Sequence, residues 1–554
     1  MAASNPTLTS RLFGARDQAP AEAGVMIAFA IFCIVLAIFV IYPTLKVLSY
    51  PGLSEYWAVL RGSRWWVAAR NSALITILST ASATLVGFIF AFAATRHDMP
   101  GRKLFQTFGI LPLFAPPFMV AFSYILMFGR RGLVSNRLLG LELDIFGPWG
   151  LWLSQTIAFF PLAMMIIKGT LEGIHPSAEQ AALTLGATES RALWTVTLPL
   201  VRPGVLGAML VVAITVLADF GNAVVIAGNY PLLATSAWFM LDGLADLNGA
   251  SVIVAILLVP TVALFLASRA LTARRSYATV TGRGASIDQI RTPIAVRIVV
   301  LAICSTVSLF VVLLYLGIFM AGLTAAWGSD WSLSFHHWGN ALGHWDQMLY
   351  SLIVSVLAAL VTAVLGQIAA FLMSRELPFK GVIDFLAVLP GALPGVFVGI
   401  GFVLAFNGPP IELAGSMWII VFALGFWHLP LAYQATSATL AQIHKSIEDA
   451  ARDLGASELR LIRDIYVPLL SRSLIASFLQ SFIRSISNIS IAVFLVAPGN
   501  VVVTFTILQM IGGGDWGSAA ALTTFLLIIT FICVGVATLV AGRNSFRVQT
   551  AAMP

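Results

Sequence analysis

Residues Glu179–Leu200 read EQAALTLGATESRALWTVTLPL, and residues Glu448–Leu470 read EDAARDLGASELRLIRDIYVPLL. Each passage is polar, with a glycine near its middle and a proline near its end. Yet both sit in a chain of 554 residues that is 59% hydrophobic and only 10% charged. A constant shift of 269 relates them: Glu179 to Glu448, Gly186 to Gly455, Pro199 to Pro468. Aligned without gaps, Ile174–Leu200 and Ile443–Leu469 share 13 of 27 residues, His175 and His444 among them. The register runs on to Thr235 with Thr504 and Asp246 with Asp515. Upstream, Arg96 and Arg375 differ by 279 and Pro116 and Pro394 by 278, because the loop over 129–148 is longer than its partner near 407–415. A repeat of this length means one structural unit used twice.

The rest of the composition places that unit in a membrane. A water-soluble core has no use for so much apolar surface. VMIAFAIFCIVLAIFVIYPTL, from Val25, is long enough to cross a bilayer as a helix, which takes about 20 residues. The ten-residue alternation of an outer-membrane barrel is absent. The polar start reads as a short tail, because the apolar run after it is too long for a signal peptide and lacks a cleavage site. Cys33, Cys304 and Cys533 lie inside apolar runs without metal spacing and read as packing residues. The net charge of +7 is a matter of topology and does not point to nucleic acid.

Twelve spans are predicted, at roughly 25–48, 70–95, 105–128, 149–170, 204–227, 250–270, 298–321, 349–373, 383–406, 416–438, 473–496 and 518–541. Both termini then share a side. With that side cytoplasmic, 23 of the 31 Lys and Arg face inward, including Arg274, Arg275, Arg283, Arg543 and Arg547. The positive-inside rule favours this orientation. The expected fold is therefore all-α and polytopic: two tandem six-helix halves with a pseudo-twofold axis along the membrane normal. The expected divisions are a cytoplasmic tail over 1–24, a first half over 25–275, a basic linker over 276–297 and a second half over 298–554. Within the halves, the repeated loops occupy 172–200 and 441–469.

Each loop reads as a helix–turn–helix elbow on the cytoplasmic face. Ser177 is placed to cap a short helix with Glu179 and Gln180 in its first turn. Gly186 and Gly455 permit the turn, and Pro199 and Pro468 sit just ahead of the next span. A loop that only respects topology need not keep a glycine and a proline at fixed spacing twice, so a docking element is expected.

Here the chain resembles the permeases of ATP-binding-cassette importers. Their loop carries Glu-Ala-Ala, three residues, Gly, nine residues, Ile, one residue, Leu-Pro. This chain has Gln180, Ala181, Ala182, Gly186, Val196, Leu198 and Pro199, then Asp449, Ala450, Ala451, Gly455, Ile465, Val467 and Pro468. The motif glutamate is replaced by Gln180 and Asp449, each preceded by a shared acid, Glu179 or Glu448. The resemblance implies a type I importer permease in a bacterial inner membrane. Each loop would be a coupling helix seated on one of two copies of a cytoplasmic P-loop ATPase, which would bind ATP and Mg. An extracytoplasmic solute-binding protein would deliver the solute. The chain has no G-x-x-x-x-G-K-[ST] motif, so ATP hydrolysis falls to the partner, and the chain itself is expected to need no cofactor and to be no enzyme.

Within the fifth and eleventh spans lie Asp219, Asn222, Arg484 and Asn488, with Asp219 matching Asn488 and Arg484 matching Thr215. A charge inside a bilayer costs at least ~2.5–3.5 kcal/mol and belongs in the bundle interior or a water-filled cavity. Asp219 and Arg484 are expected either to pair as a gate, the favoured reading, or to touch the passing solute. The prolines of LPLFAPPFMV and LPGALPGVFVGI are expected to kink the third and ninth spans. His336, His337 and His344 sit in an interfacial belt and need no metal. Arg130, Arg131 and Arg137 are candidates for contact with a binding protein. ADFGN in the fifth span and RRSYATVTGRG after the sixth look most like the ferric-iron importer permeases, whose relatives carry thiamine, polyamines, phosphonates or sugar phosphates. A twelve-helix secondary carrier is the competing class. It would have no reason to duplicate the elbow.

Overall fold

The computed structural model describes residues 23–273 and 291–541. The tail over 1–22, most of the basic linker, and Arg274, Arg275, Arg283, Arg543 and Arg547 lie outside the described residues. Among the described residues ten helices are long and apolar enough to cross a membrane, and two bent helix pairs bring the count to twelve if each is one span. The short strand pairs Thr324–Ala326 with Asp330–Leu333, and Asn407–Gly408 with Ile411–Glu412, close loops at the end opposite the elbows. The fold is all-α, and the order of elements in the first half recurs in the second.

Small residues let the helices of each half approach closely. A Cβ on Gly87 would lie 2.6 Å from the Cβ of Ala163, and one on Gly366 would lie 2.3 Å from that of Ala432. The two contacts are counterparts in the repeat. Without a hydrophobic driving force between helices in lipid, such close approach supplies the packing.

The halves are not side by side. The leading helix, Ala23–Ser49, packs on the second half: Phe39 stacks on Phe426 at 4.8 Å and also meets Phe402, Phe406 and Phe422. The seventh, Ile294–Leu323, packs on the first half, where Phe310 stacks on Phe128 at 5.4 Å. Each half thus lends its first helix to the other.

Two expectations about the spans are corrected. The prolines of the third and ninth spans do more than kink them. Helix stops at Phe114 and resumes at Pro117, and it stops at Ala392 and resumes at Gly395, there with a bend of 110°. Gly395–Phe406 alone is 12 residues, about 18 Å of helix, too short to cross the hydrocarbon core. Carbonyls at the breaks find new donors: Tyr315 Oη donates to Leu111 O at 2.8 Å, and Trp427 Nε1 to Leu393 O at 2.9 Å. Satisfied carbonyls are what makes such breaks tolerable at membrane depth.

The fifth and eleventh spans also start earlier than predicted, within the elbow, and stop earlier. Helix runs from Glu189 to Leu217 and from Glu458 to Ile486, each with a π-helical turn, Leu193–Thr197 or Ile462–Tyr466, directly before the proline-bearing segment. Proline lacks the N–H and its ring clashes with the carbonyl four residues back. A widened π turn at that place accommodates both, so Pro199 and Pro468 lie inside continuous helices.

Candidate functional site

The elbows are built alike. The short helices Ser177–Thr184 and Lys445–Asp453 each follow a histidine. Ser177 N donates to His175 Nδ1 at 3.2 Å, and Ser446 N to His444 Nδ1 at 3.5 Å. The expected cap, Ser177, is instead the first helical residue: Pro176 is the cap position in the first half and His444 in the second, and in both the histidine accepts the N–H of the following serine. Both helices end the same way. Gly186 and Gly455 adopt φ of +86° and +81°, while Ala187 N and Ala456 N reach back to Ala182 O and Ala451 O at 3.0 Å. This is the left-handed C-cap that only glycine enters without strain. It throws the preceding leucine outward: Leu185 and Leu454 are each 88% exposed.

The shared acids point the other way. Arg96 holds Glu179 through two parallel hydrogen bonds, Nη1 to Oε2 at 2.9 Å and Nη2 to Oε1 at 2.6 Å, and Thr197 Oγ1 adds a third at 2.6 Å. The pair is almost fully buried. In the second half Arg375 donates to Glu448, joined by Tyr466 Oη at 2.7 Å and Arg452 Nη2 at 3.2 Å. Arg96 and Arg375 lie over the rings of Phe92 and Phe371 at 5.1 and 4.9 Å. Burial works to raise the Glu448 carboxyl, but hydrogen bonds from Arg375, Tyr466 and Arg452 and the charge of Arg375 outweigh it and hold its pKa below the usual value. The acid preceding the motif position therefore makes the internal tie. Asp449 is exposed and Gln180 half-exposed at the surface. Each tie clamps three things together: the end of the second or eighth span, the elbow helix, and the start of the fifth or eleventh. Ala181 and Ala450 leave the elbow surface low, Ala182 and Ala451 are half-buried, Leu198 packs into the core, and Val467 is 54% exposed.

At the far end of these spans the helix breaks, over Ala218–Phe220 in the first half and Ser487–Ile491 in the second. Asp219 Oδ1 accepts from Asn222 N at 3.2 Å, and its Oδ2 accepts from Asn222 Nδ2 at 3.1 Å and Gln155 Nε2 at 2.9 Å. Gln155 in turn accepts from Ser79. Asn488 Oδ1 accepts from Ile491 N at 3.0 Å, the same bond shifted by 269. Asp219 and Asn488 thus both cap the segment after the break, a role the sequence reading did not assign. The expected pairing is not seen: among the described residues no ion pair joins Asp219 to Arg484, because the carboxylate is already occupied by amide donors.

Beyond the breaks, helices Leu233–Leu244 and Val503–Gly512 border a cavity of ≈ 360 Å³, whose lining includes Trp238, Asp242, Gln509 and Trp516. Arg130 is paired with Asp144 at 2.9 Å, both side chains being exposed, and Arg137 lies over Trp331 at 4.3 Å. His337 contacts Ser518 Oγ and Ala325 O, both at 3.2 Å.

Residues 83–276 and 362–548 both match the family model described as "Binding-protein-dependent transport system inner membrane component". The chain belongs to that family. As one of these inner-membrane components it works with a solute-binding protein. It is 31% identical over 523 residues to a ferric transport system permease protein of Actinobacillus pleuropneumoniae, covering 90% of this chain and 76% of the relative. It is also 33% identical over 172 residues to a molybdenum transport system permease protein of Escherichia coli, covering 30% of this chain and 73% of that relative. The first similarity spans both halves. The second corresponds in length to a single half, as expected of a permease component that carries two in one chain.

Proposed function

We propose that this chain is the permease of an ATP-driven importer of ferric iron, carrying both halves and lodged in a bacterial inner membrane with both termini in the cytoplasm. Two copies of a separate P-loop ATPase would seat one elbow each, binding ATP and Mg and doing the hydrolysis. The observation that carries this reading is the duplicated elbow surface, with Leu185 and Leu454 equally exposed on turns of the same geometry. A leucine side chain standing clear of a protein leaves apolar surface in water that a groove on a partner would bury. The residues around it have matching roles: Gln180 and Asp449 at the rim of the groove, Ala181 and Ala450 allowing close approach, Gly186 and Gly455 shaping the turn, and Pro199 and Pro468 within the helix that carries movement away.

The clamps of Glu179 and Glu448 explain how that movement travels. When ATP draws the two ATPase copies together, each elbow moves with the spans it is clamped to. The halves then rock about their interface, and solute released by the binding protein passes between them. Ferric iron is proposed as solute from the relative that matches along both halves.

The test is gentle purification of the tagged chain followed by uptake in reconstituted vesicles. The proposal expects two ATPase copies per chain and ATP-dependent uptake of iron supplied on the binding protein. Leu185→Asp with Leu454→Asp is expected to abolish ATPase recovery. An intact chain that transports with no ATPase at any salt concentration would make it a secondary carrier instead.

A further inference from the structure

Arg484 is the charge that the fold leaves unexplained. It stands in the last turn of its helix, just before the break at Ser487 that matches the one beside Asp219, and close to the buried His428. Those two are 7% and 2% exposed, whereas Arg484 is open to solvent. Accessible surface at that depth belongs to an internal space and not to the lipid-facing rim, where a charge would be costly. Among the described residues Arg484 makes no hydrogen bond or ion pair. Gln480, one helical turn earlier on the same face and half-exposed, makes none either. His428 lies close to Arg484, and it is held through Nδ1 by Ser485 at 3.2 Å while its buried Nε2 has no partner. The second half thus offers the internal space a guanidinium and an amide. The first half offers nothing comparable: Thr215, the counterpart of Arg484, donates to Val211 O at 2.9 Å, and the Asp219 carboxylate is spent on Gln155 and Asn222.

We infer that Arg484 and Gln480 form an oxyanion-recognising station in the translocation pathway, so that the solute crosses as an oxyanion or bound to one, of the carboxylate or phosphate class. Guanidinium binds such groups with two parallel charge-assisted hydrogen bonds, and an adjacent amide donor widens the grip. The inference rests on the importer reading and deepens it. A ferric ion would pass this arginine in a complex whose oxyanion ligand faces it, since the bare cation would be repelled.

The experiment uses the permease with its ATPase and binding protein in proteoliposomes. Radiolabelled iron is followed together with radiolabelled phosphate or citrate as probes. The expected result is entry of iron and one probe together, at a ratio that stays constant over time. Arg484→Gln should lower both by about tenfold or more, and Arg484→Lys should keep about a third of the uptake. If the Gln variant fails to assemble with the ATPase, the Lys variant is compared with Thr215→Arg/Arg484→Thr, which moves the charge to the other half; recovery of probe entry in either supports the station. Probe entering without iron also supports the station while overturning iron as the solute. Iron entering at the same rate with neither probe present, and Arg484→Gln transporting like the parent, overturns the station and leaves the importer reading standing. Equal loss in the Lys and Gln variants overturns it too, because charge would then not be what the site supplies.

Discussion

The two elbows and the two span breaks are related by the same repeat, yet they have diverged to different degrees. At the elbows the likeness is close. A histidine accepts the N–H of a serine two residues on, an acid turns inward to an arginine that lies over an aromatic ring, a glycine turns left-handed, and a leucine stands 88% exposed on both sides. At the breaks only the backbone device survives: Asp219 and Asn488 make the same capping bond, but one half surrounds it with Gln155 and Asn222 and the other leaves Arg484 open. The difference has a simple physical reading. If the elbows meet two copies of one ATPase, as proposed, their surface must stay the same in both halves. A path taken by one solute has no such constraint, and the two sides can specialise.

The largest expected effect comes from breaking that likeness from inside. The Arg96–Glu179 pair is 6% and 5% exposed, while the Arg375–Glu448 pair is 10% and 18% exposed. Removing one partner of a buried pair leaves an uncompensated charge and costs about 3–5 kcal/mol. Glu179→Ala should therefore lower the melting temperature of the solubilised chain clearly more than Glu448→Ala, which leaves Arg375 better hydrated. Equal losses would mean that the two clamps are energetically the same despite their burial.

The next effect separates capping from gating. If Asp219 caps the segment after the break, Asp219→Asn should keep uptake within about threefold, since asparagine does this work at position 488. The charge exchange Asp219→Arg/Arg484→Asp should abolish uptake, because the donors of Gln155 and Asn222 would then face a cation. Retained uptake in the exchanged protein would restore the paired gate.

The smallest effect is a pH dependence in the second half. The Glu448 pKa is held below its ordinary value in the folded chain, so its contribution is fully present above the unfolded value of about 4.5 and is lost as pH falls through the folded one. The difference in melting temperature between the parent and Glu448→Gln should be constant from neutral pH down to about 4.5 and shrink below it. A difference that grows on acidification would mean that the carboxylate is not the stabilised form.

The repeat, the elbows and the all-helical class were legible because they are written in local sequence. A fixed offset, a glycine that needs positive φ and long apolar runs need no knowledge of contacts. What escaped depends on neighbours far along the chain. Nothing in Ala23–Ser49 says that Phe39 will stack on Phe426, and nothing near Pro394 distinguishes a kink from a bend of 110°. The π turns hid the true starts of the fifth and eleventh spans, since proline reads as a stop unless the widened turn before it is known. The inward clamp was half visible: Glu179 and Glu448 are shared, as are Arg96 and Arg375, but only the fold brings them together. The partners of Asp219 were only half visible: Asn222 lies three residues on, but Gln155 comes from 64 residues away.

The most direct test of the account is cross-linking at the two exposed leucines. Leu185→Cys and Leu454→Cys, each placed alone in a chain without other cysteines, would be cross-linked to the ATPase and the joined peptides mapped. The account predicts that both positions join the same groove residues of the ATPase, one copy to each elbow. Attachment at different ATPase surfaces, or at one elbow alone, would contradict the claim that the repeated surface exists to meet two identical partners.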